Sequence, residues 1–213
     1  MTGSPRAVLC AIGVALVLAS VALGIAVRGG PAGPDVALRD RARELGPLFV
    51  QAADVVSFLL SPGMAVITVV SLGLRAILAR ELLVFKAAVL LGVAWCTILL
   101  RFGYDRVRPV VFDLPSYPSG HVTAVTAVAF TGVVLCAHLA RRHLRKAVLL
   151  AVVAVVLTAA SRVALTMHWF TDTVGAALAT TGVGLLAALV LRLLPWPGGP
   201  RPAGPAGRRR VEP

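Results

Sequence analysis

"PSGHVTAVTAVAFTGVVLCAHLARRHLRK", residues 118–146, is the stretch on which the fold turns. A polar turn, Pro118-Ser119-Gly120-His121, opens directly into an apolar run over 122–140. Crossing the hydrocarbon of a bilayer takes about 20 mostly apolar residues in a helix, and this run is long enough. The basic cluster "RRHLRK" (141–146) closes it. Lysine and arginine are retained on the cytoplasmic side of a membrane. The segment therefore predicts a helix that enters from outside, with a histidine and a glycine at its mouth.

The rest of the chain fits that reading. It has 213 residues, 58% hydrophobic and 14% charged, with mean hydropathy +0.90. A soluble domain carries about 25% charged residues, so an ordinary soluble class is excluded. Apolar stretches occur at roughly 8–27, 53–74, 82–100, 122–140, 147–166 and 173–194. They predict an all-α polytopic membrane protein with about six transmembrane helices. Ser61-Pro62-Gly63 interrupts the second stretch and is expected to kink or break it. The first reads as an uncleaved helix rather than a signal peptide, since its apolar core is long and no small-x-small site closes it. The stretch "DVALRDRAREL" (35–45) mixes charges at helical spacing and is expected on the outer surface.

The formal net charge of +12 raises the question of a nucleic-acid partner. The basic residues lie between apolar spans rather than along one soluble face, so none is expected. Topology explains them better. With six spans, Arg6, Arg75, Arg80, Lys86, the four of 141–146, Arg192, Arg201 and Arg208–Arg210 fall on one side, 13 in all. Arg28, Arg39, Arg41, Arg43, Arg101, Arg106, Arg108 and Arg162, 8 in all, fall on the other. The richer side is expected to be cytoplasmic, with both termini there. Residues 1–194 read as one six-helix domain, and the Pro/Gly/Arg-rich tail 195–213 reads as disordered. Cys10, Cys96 and Cys136 lie in apolar runs without ligand spacing, so neither a disulfide framework nor a metal site is expected.

Polar residues converge on the outer helix ends. Arg101 and Arg108 follow the third span, Ser119, Gly120 and His121 open the fourth, and Arg162 closes the fifth. His168 and Asp172 lead into the sixth and, four residues apart, share a face if helical. An aspartate there can accept a proton from one ring nitrogen and leave the other bare, which activates a histidine as nucleophile or base. The unpaired N–H groups at a helix start suit an anion, and glycine lets a phosphate come close. Arginines supply planar forks of donors for phosphate oxygens. Two histidines allow one to attack phosphorus while the other protonates the departing oxygen. No carboxylate cluster suited to Mg²⁺ accompanies them, so the arginines take the charge-stabilising role and no cofactor is expected.

The same residues resemble a known signature. The type-2 phosphatidic acid phosphatase superfamily, which includes vanadium haloperoxidases, carries K-x6-R-P, P-S-G-H and S-R-x5-H-x3-D. Here they stand as "RFGYDRVRP" (101–109), "PSGH" (118–121) and "SRVALTMHWFTD" (161–172), with Arg101 in place of the usual lysine. The resemblance implies His168 as nucleophile forming a phosphohistidine, Asp172 as its orienting partner and His121 as general acid. It implies Arg101, Arg108, Arg162, Ser119 and Gly120 as binders of the phosphoryl group. The implied activity is a membrane lipid phosphatase acting on a lipid phosphate or diphosphate at the outer face. Undecaprenyl diphosphate is the first candidate, followed by phosphatidic acid and phosphatidylglycerol phosphate. Lipid phosphotransfer and non-catalytic lipid binding or transport are the alternatives. The partners implied are the lipid substrate and the bilayer, and the oligomeric state is left open. Asp105 and Arg106 read as an ordinary loop ion pair, Tyr104 and Trp169 as interfacial anchors, and Asp54 as an interfacial carboxylate; none is given a catalytic role.

Overall fold

The structure is a computed structural model describing residues 4–194. The tail 195–213, expected to be disordered, lies outside the described residues. Eight α-helices build the described chain: α1 (Pro5–Ala26), α2 (Gly33–Arg43), α3 (Pro47–Leu59), α4 (Pro62–Ala79), α5 (Leu82–Trp95), α6 (Gly120–Leu139), α7 (Leu144–Ala164) and α8 (Phe170–Val190). A 3₁₀ segment, Cys96–Gly103, prolongs α5. Six stretches among the described residues are long and apolar enough to cross a membrane: Pro5–Ala26, Pro47–Ala79, Leu82–Gly103, Gly120–Leu139, Arg141–Ala164 and Phe170–Val190. These are the expected spans, shifted by a few residues at their ends. The fold is all-α and the chain is a multi-pass membrane protein.

The local chemistry explains each departure. A spanning segment must satisfy its backbone internally, which favours continuous helix. Proline at the first helical position lacks only an N–H that would be unpaired anyway. Pro47 therefore starts α3 earlier than the apolar run alone suggested, and Pro62 starts α4. Between them Leu60 and the extended Ser61 (φ −99°, ψ 165°) break the helix outright. The charged stretch expected as a surface helix is α2.

The bundle is assembled on small residues. α8 buries Gly175, Ala176, Ala179, Gly182, Gly184 and Ala188. Packing between helices in lipid comes from close backbone approach, which small side chains permit. α1 runs antiparallel to α8: Arg6 Nη2 donates to Leu189 O at 3.2 Å, and Ser20 Oγ donates to Gly175 O at 2.9 Å. A methyl group on Gly182 would sit 2.7 Å from the Gly13 carbonyl oxygen, so glycine sets that approach. α6 lies against α4, α5, α7 and α8. Large apolar side chains such as Ile77, Leu78 and Leu150 face outward. Lipid tails are as apolar as leucine, so this exposure carries no penalty in a bilayer.

Candidate active site

The turn between α7 and α8 determines the site. α7 ends at Ala164, and Thr166 adopts a left-handed conformation (φ 53°). The Thr166 N–H then donates to Val163 O at 2.9 Å and the Met167 N–H to Arg162 O at 3.0 Å, with the His168 N–H also reaching Arg162 O at 3.3 Å. This is the hydrogen-bond pattern of a reversing helix end. It folds the chain back so that Arg162 and His168, six positions apart in sequence, stand at one place. A β-branched residue rarely takes this backbone conformation, so the turn holds strain.

His168 is buried between two partners. Nδ1 lies 3.4 Å from Asp172 Oδ2, and Arg108 Nη1 lies 3.2 Å from Nε2. With the Nδ1 proton turned to the carboxylate, Nε2 carries the lone pair. Burial is the main influence on the ring; Asp172 pulls the other way, Arg108 and Arg162 add to burial, and the pKa falls to about 4. The imidazole is thus neutral at pH 7 and able to act as a nucleophile. Arg108 is tied through Nε to Leu114 O (2.8 Å) and packs over the Phe112 ring at 4.4 Å. Burial and the repulsion of Arg101 bring its pKa down to about 10, so it remains cationic.

Arg101, Arg162, Ser119 and Gly120 are all buried. The Nε atoms of Arg101 and Arg162 and the Ser119 hydroxyl have no hydrogen-bond partner among the described residues. Buried donors are ordinarily paired, so a group of unpaired ones is suited to an anion. Gly120 permits the arrangement: a Cβ there would lie 2.8 Å from Arg101 Nη2. Ser119 caps α6, and its N–H donates to Asp172 O at 3.2 Å, joining the start of α6 to the start of α8. His121 lies within electrostatic reach of Arg162, His168 and Arg108. It lines a cleft of about 390 Å³ with Asp54, Ser57, Phe58 and Ser61. All eight sequence-derived residues therefore gather at one end of the bundle.

Other residues enter that sequence reading passed over. Arg106 is not paired with its neighbour Asp105. Its Nη1 donates to Asp172 Oδ1 at 2.5 Å and its Nη2 to Asp35 Oδ2 at 2.7 Å, all three side chains being buried. Asp172 Oδ2 also accepts from the Trp169 N–H (2.9 Å) and from the Ser116 hydroxyl. Ser57 accepts from Arg162 Nη1 at 2.6 Å, so α3 touches the site. Asp54, read as merely interfacial, shares the His121 cleft and its charge acts on Arg162. Tyr104 and Trp169 are buried rather than interfacial anchors. Tyr104 packs edge-on against Tyr117 with centroids 4.9 Å apart, and Trp169 Nε1 donates to Val107 O at 2.9 Å. No local sequence signal marks the contacts of Arg106 and Arg162, whose partners stand 66, 71 and 105 positions away.

Residues 82–196, more than half of the chain, match the PAP2 superfamily, the type-2 phosphatidic acid phosphatases. The chain belongs to the PAP2 superfamily. This is the family the three motifs resembled. The PAP2 region begins at α5 and includes every motif residue, whereas α1 to α4 precede it. Among solved structures, the PAP2 chain is similar to a transmembrane PAP2-type phosphatidylglycerolphosphate phosphatase from Bacillus subtilis. The TM-score is 0.68 at 22% identity, covering 84% of this chain and 94% of that one. At that identity the likeness is one of fold. No curated protein matches the chain.

Proposed function

We propose that this PAP2 protein is a membrane lipid phosphatase that removes the terminal phosphate of a lipid phosphate or diphosphate through a phosphohistidine. The observation carrying this reading is the neutral His168 with Nε2 facing Arg108, at the same end of the bundle as Arg101 Nε, Arg162 Nε and the Ser119 hydroxyl, which have no partner among the described residues. Nε2 attacks phosphorus, the bond to the leaving oxygen breaks, and His121 protonates that oxygen. Water then attacks phosphorus while His121 takes its proton, and the N–P bond breaks, releasing phosphate and restoring the neutral His168 imidazole. Three guanidinium groups take the charge of the equatorial oxygens, which is where most of the stabilisation in phosphoryl transfer lies.

A lipid substrate is supported by position. The candidate site lies at helix ends, where head groups stay while hydrocarbon remains in the bilayer. An apolar groove of about 560 Å³ also opens between α2, α7 and α8, lined by Leu38, Val156, Val163 and Phe170 among others. Undecaprenyl diphosphate, phosphatidic acid and phosphatidylglycerol phosphate are the candidates, the last being the substrate in the name of the solved relative. We place residues 1–194 in one catalytic domain, with both termini in the cytoplasm and the site outside, on the 13-to-8 distribution of basic residues.

The test is a phosphate-release panel over these three lipids in one detergent with excess EDTA. Turnover of at least one is expected, with vanadate inhibition, and His168→Ala abolishes it while remaining monodisperse. Full activity of that variant overturns the nucleophile. For topology, single cysteines placed in 102–121 of a cysteine-free chain should label from outside; labelling only from the cytoplasm reverses the orientation.

A further inference from the structure

Arg106 is shared by two carboxylates. Its guanidinium bridges Asp35 of α2 and Asp172 of α8, with side-chain exposures of 1% for the arginine and 0% for each aspartate. Asp35 is held from four directions. The Thr171 N–H donates to Oδ1 at 2.8 Å, while the Thr171 hydroxyl (2.8 Å), the Ala32 N–H (3.0 Å) and Arg106 (2.7 Å) donate to Oδ2. Burial works to raise the Asp35 carboxyl, but these donors outweigh it and hold the group below the usual carboxylate range. Asp35 is therefore ionised. Arg106 Nη1 additionally donates to Thr171 Oγ1 at 2.7 Å, and its Nε has no hydrogen-bond partner among the described residues.

We propose that Asp35 is a positioning residue for the phosphoryl transfer: through Arg106 it fixes the Asp172 carboxylate and keeps that negative charge available to His168. The inference rests on the phosphohistidine reading above. Two carboxylates and one guanidinium carry a net charge of −1. If Asp35 were neutral, Arg106 would cancel Asp172 alone. When Nε2 bonds to phosphorus while Nδ1 keeps its proton, the imidazole becomes cationic. The −1 cluster stabilises that cation, and a neutral cluster does not. Asp35 lies outside the matched region 82–196, so the chain completes its site with a residue from the segment joining its first two spans.

A purely mechanical staple between α2 and α8 makes a different prediction from a charge relay, and three variants separate them. Full-length protein in detergent is mixed with phosphatidic acid bearing radiolabelled phosphate and quenched rapidly in alkali. Rates are expressed per mole of monodisperse protein. Asp35→Asn is expected to slow phosphohistidine formation about tenfold, one elementary charge lost at second-neighbour distance. KM stays within about twofold, because bound substrate is not touched. Asp35→Glu keeps the charge and stays within severalfold of the parent. The double variant Asp35→Asn/Arg106→Gln returns the cluster to −1 and is expected to be faster than Asp35→Asn alone. A double variant slower than the single, an Asp35→Glu as slow as Asp35→Asn, or an Asp35→Asn at the parent rate overturns the inference. If Asp35→Asn does not fold, the comparison of Asp35→Glu and the double variant with the parent decides it. A parent chain that turns over the lipid without phosphohistidine overturns the underlying reading instead.

Discussion

Replacing Gly120 by alanine separates stability from activity at this site. The added Cβ would stand 2.8 Å from Arg101 Nη2 and 3.1 Å from Ile98 Cδ1. Arg101 meets it with the far end of a flexible side chain, so relief is cheap for the fold. Opening the 2.8 Å contact to an ordinary ~3.4 Å moves the guanidinium by roughly 0.6 Å. Alanine also lowers the entropy of the unfolded chain, a gain of about 0.4–1 kcal/mol that offsets the residual crowding. Stability should therefore change by less than about 1 kcal/mol, a Tm shift of about 2–4 °C at this chain length. Activity should not be spared, since misplacing a group by about 1 Å can cost about a hundredfold. A shift of this size is expected to lower kcat/KM about tenfold. Phosphate release and thermal melts in the same detergent measure both quantities. A kcat/KM within about twofold of the parent, with an unchanged Tm, refutes the claim that Gly120 sets the position of Arg101.

Arg101→Lys restores the residue usual in the family and keeps the charge, so phosphate release should remain within about tenfold of the parent; loss beyond that marks a contact only a guanidinium makes. Because His168 must be neutral to attack and its pKa is held near 4, its protonation should depress kcat/KM only below about pH 5; an acid limb near 6.5 contradicts this. The same depression makes the histidine's share of stability complete above about pH 6.5 and progressively lost as pH falls toward 4, which thermal melts across that window would register. Thr166→Gly relieves the left-handed turn at φ 53° and should raise the Tm by about 2–4 °C; a lowered Tm shows that the threonine is not strained.

The spans were legible because a bilayer imposes a length and a composition that single residues cannot disguise. The motif residues were legible because their spacing matches the turns that join them. S-R-x5-H is the length of chain needed to end α7, reverse at Thr166 and bring His168 back beside Arg162. Other features depended on distance in space. Asp35 lies 71 positions from Arg106, and α2 reads from its own sequence as a charged surface helix. Local sequence marks Asp35 as a first-turn carboxylate that takes the Ala32 N–H, but does not mark it as buried, whereas Asp40 is exposed. Arg106 was assigned to its sequence neighbour, but Asp105 has a left-handed backbone (φ 48°) and is exposed, while Arg106 is buried. Ser57 and Asp54 were hidden by a related effect. The helix break at Leu60-Ser61 determines what the end of α3 meets, and sequence gave the break without its direction.

The most direct measurement is to map enzyme-bound phosphate by mass spectrometry after alkaline quench of a lipid phosphate reaction in excess EDTA. The expected result is an acid-labile phosphoryl group on His168 that disappears in His168→Ala. Phosphate carried by another side chain, or turnover that requires added metal, would contradict an imidazole attacking within a receptacle of guanidinium groups.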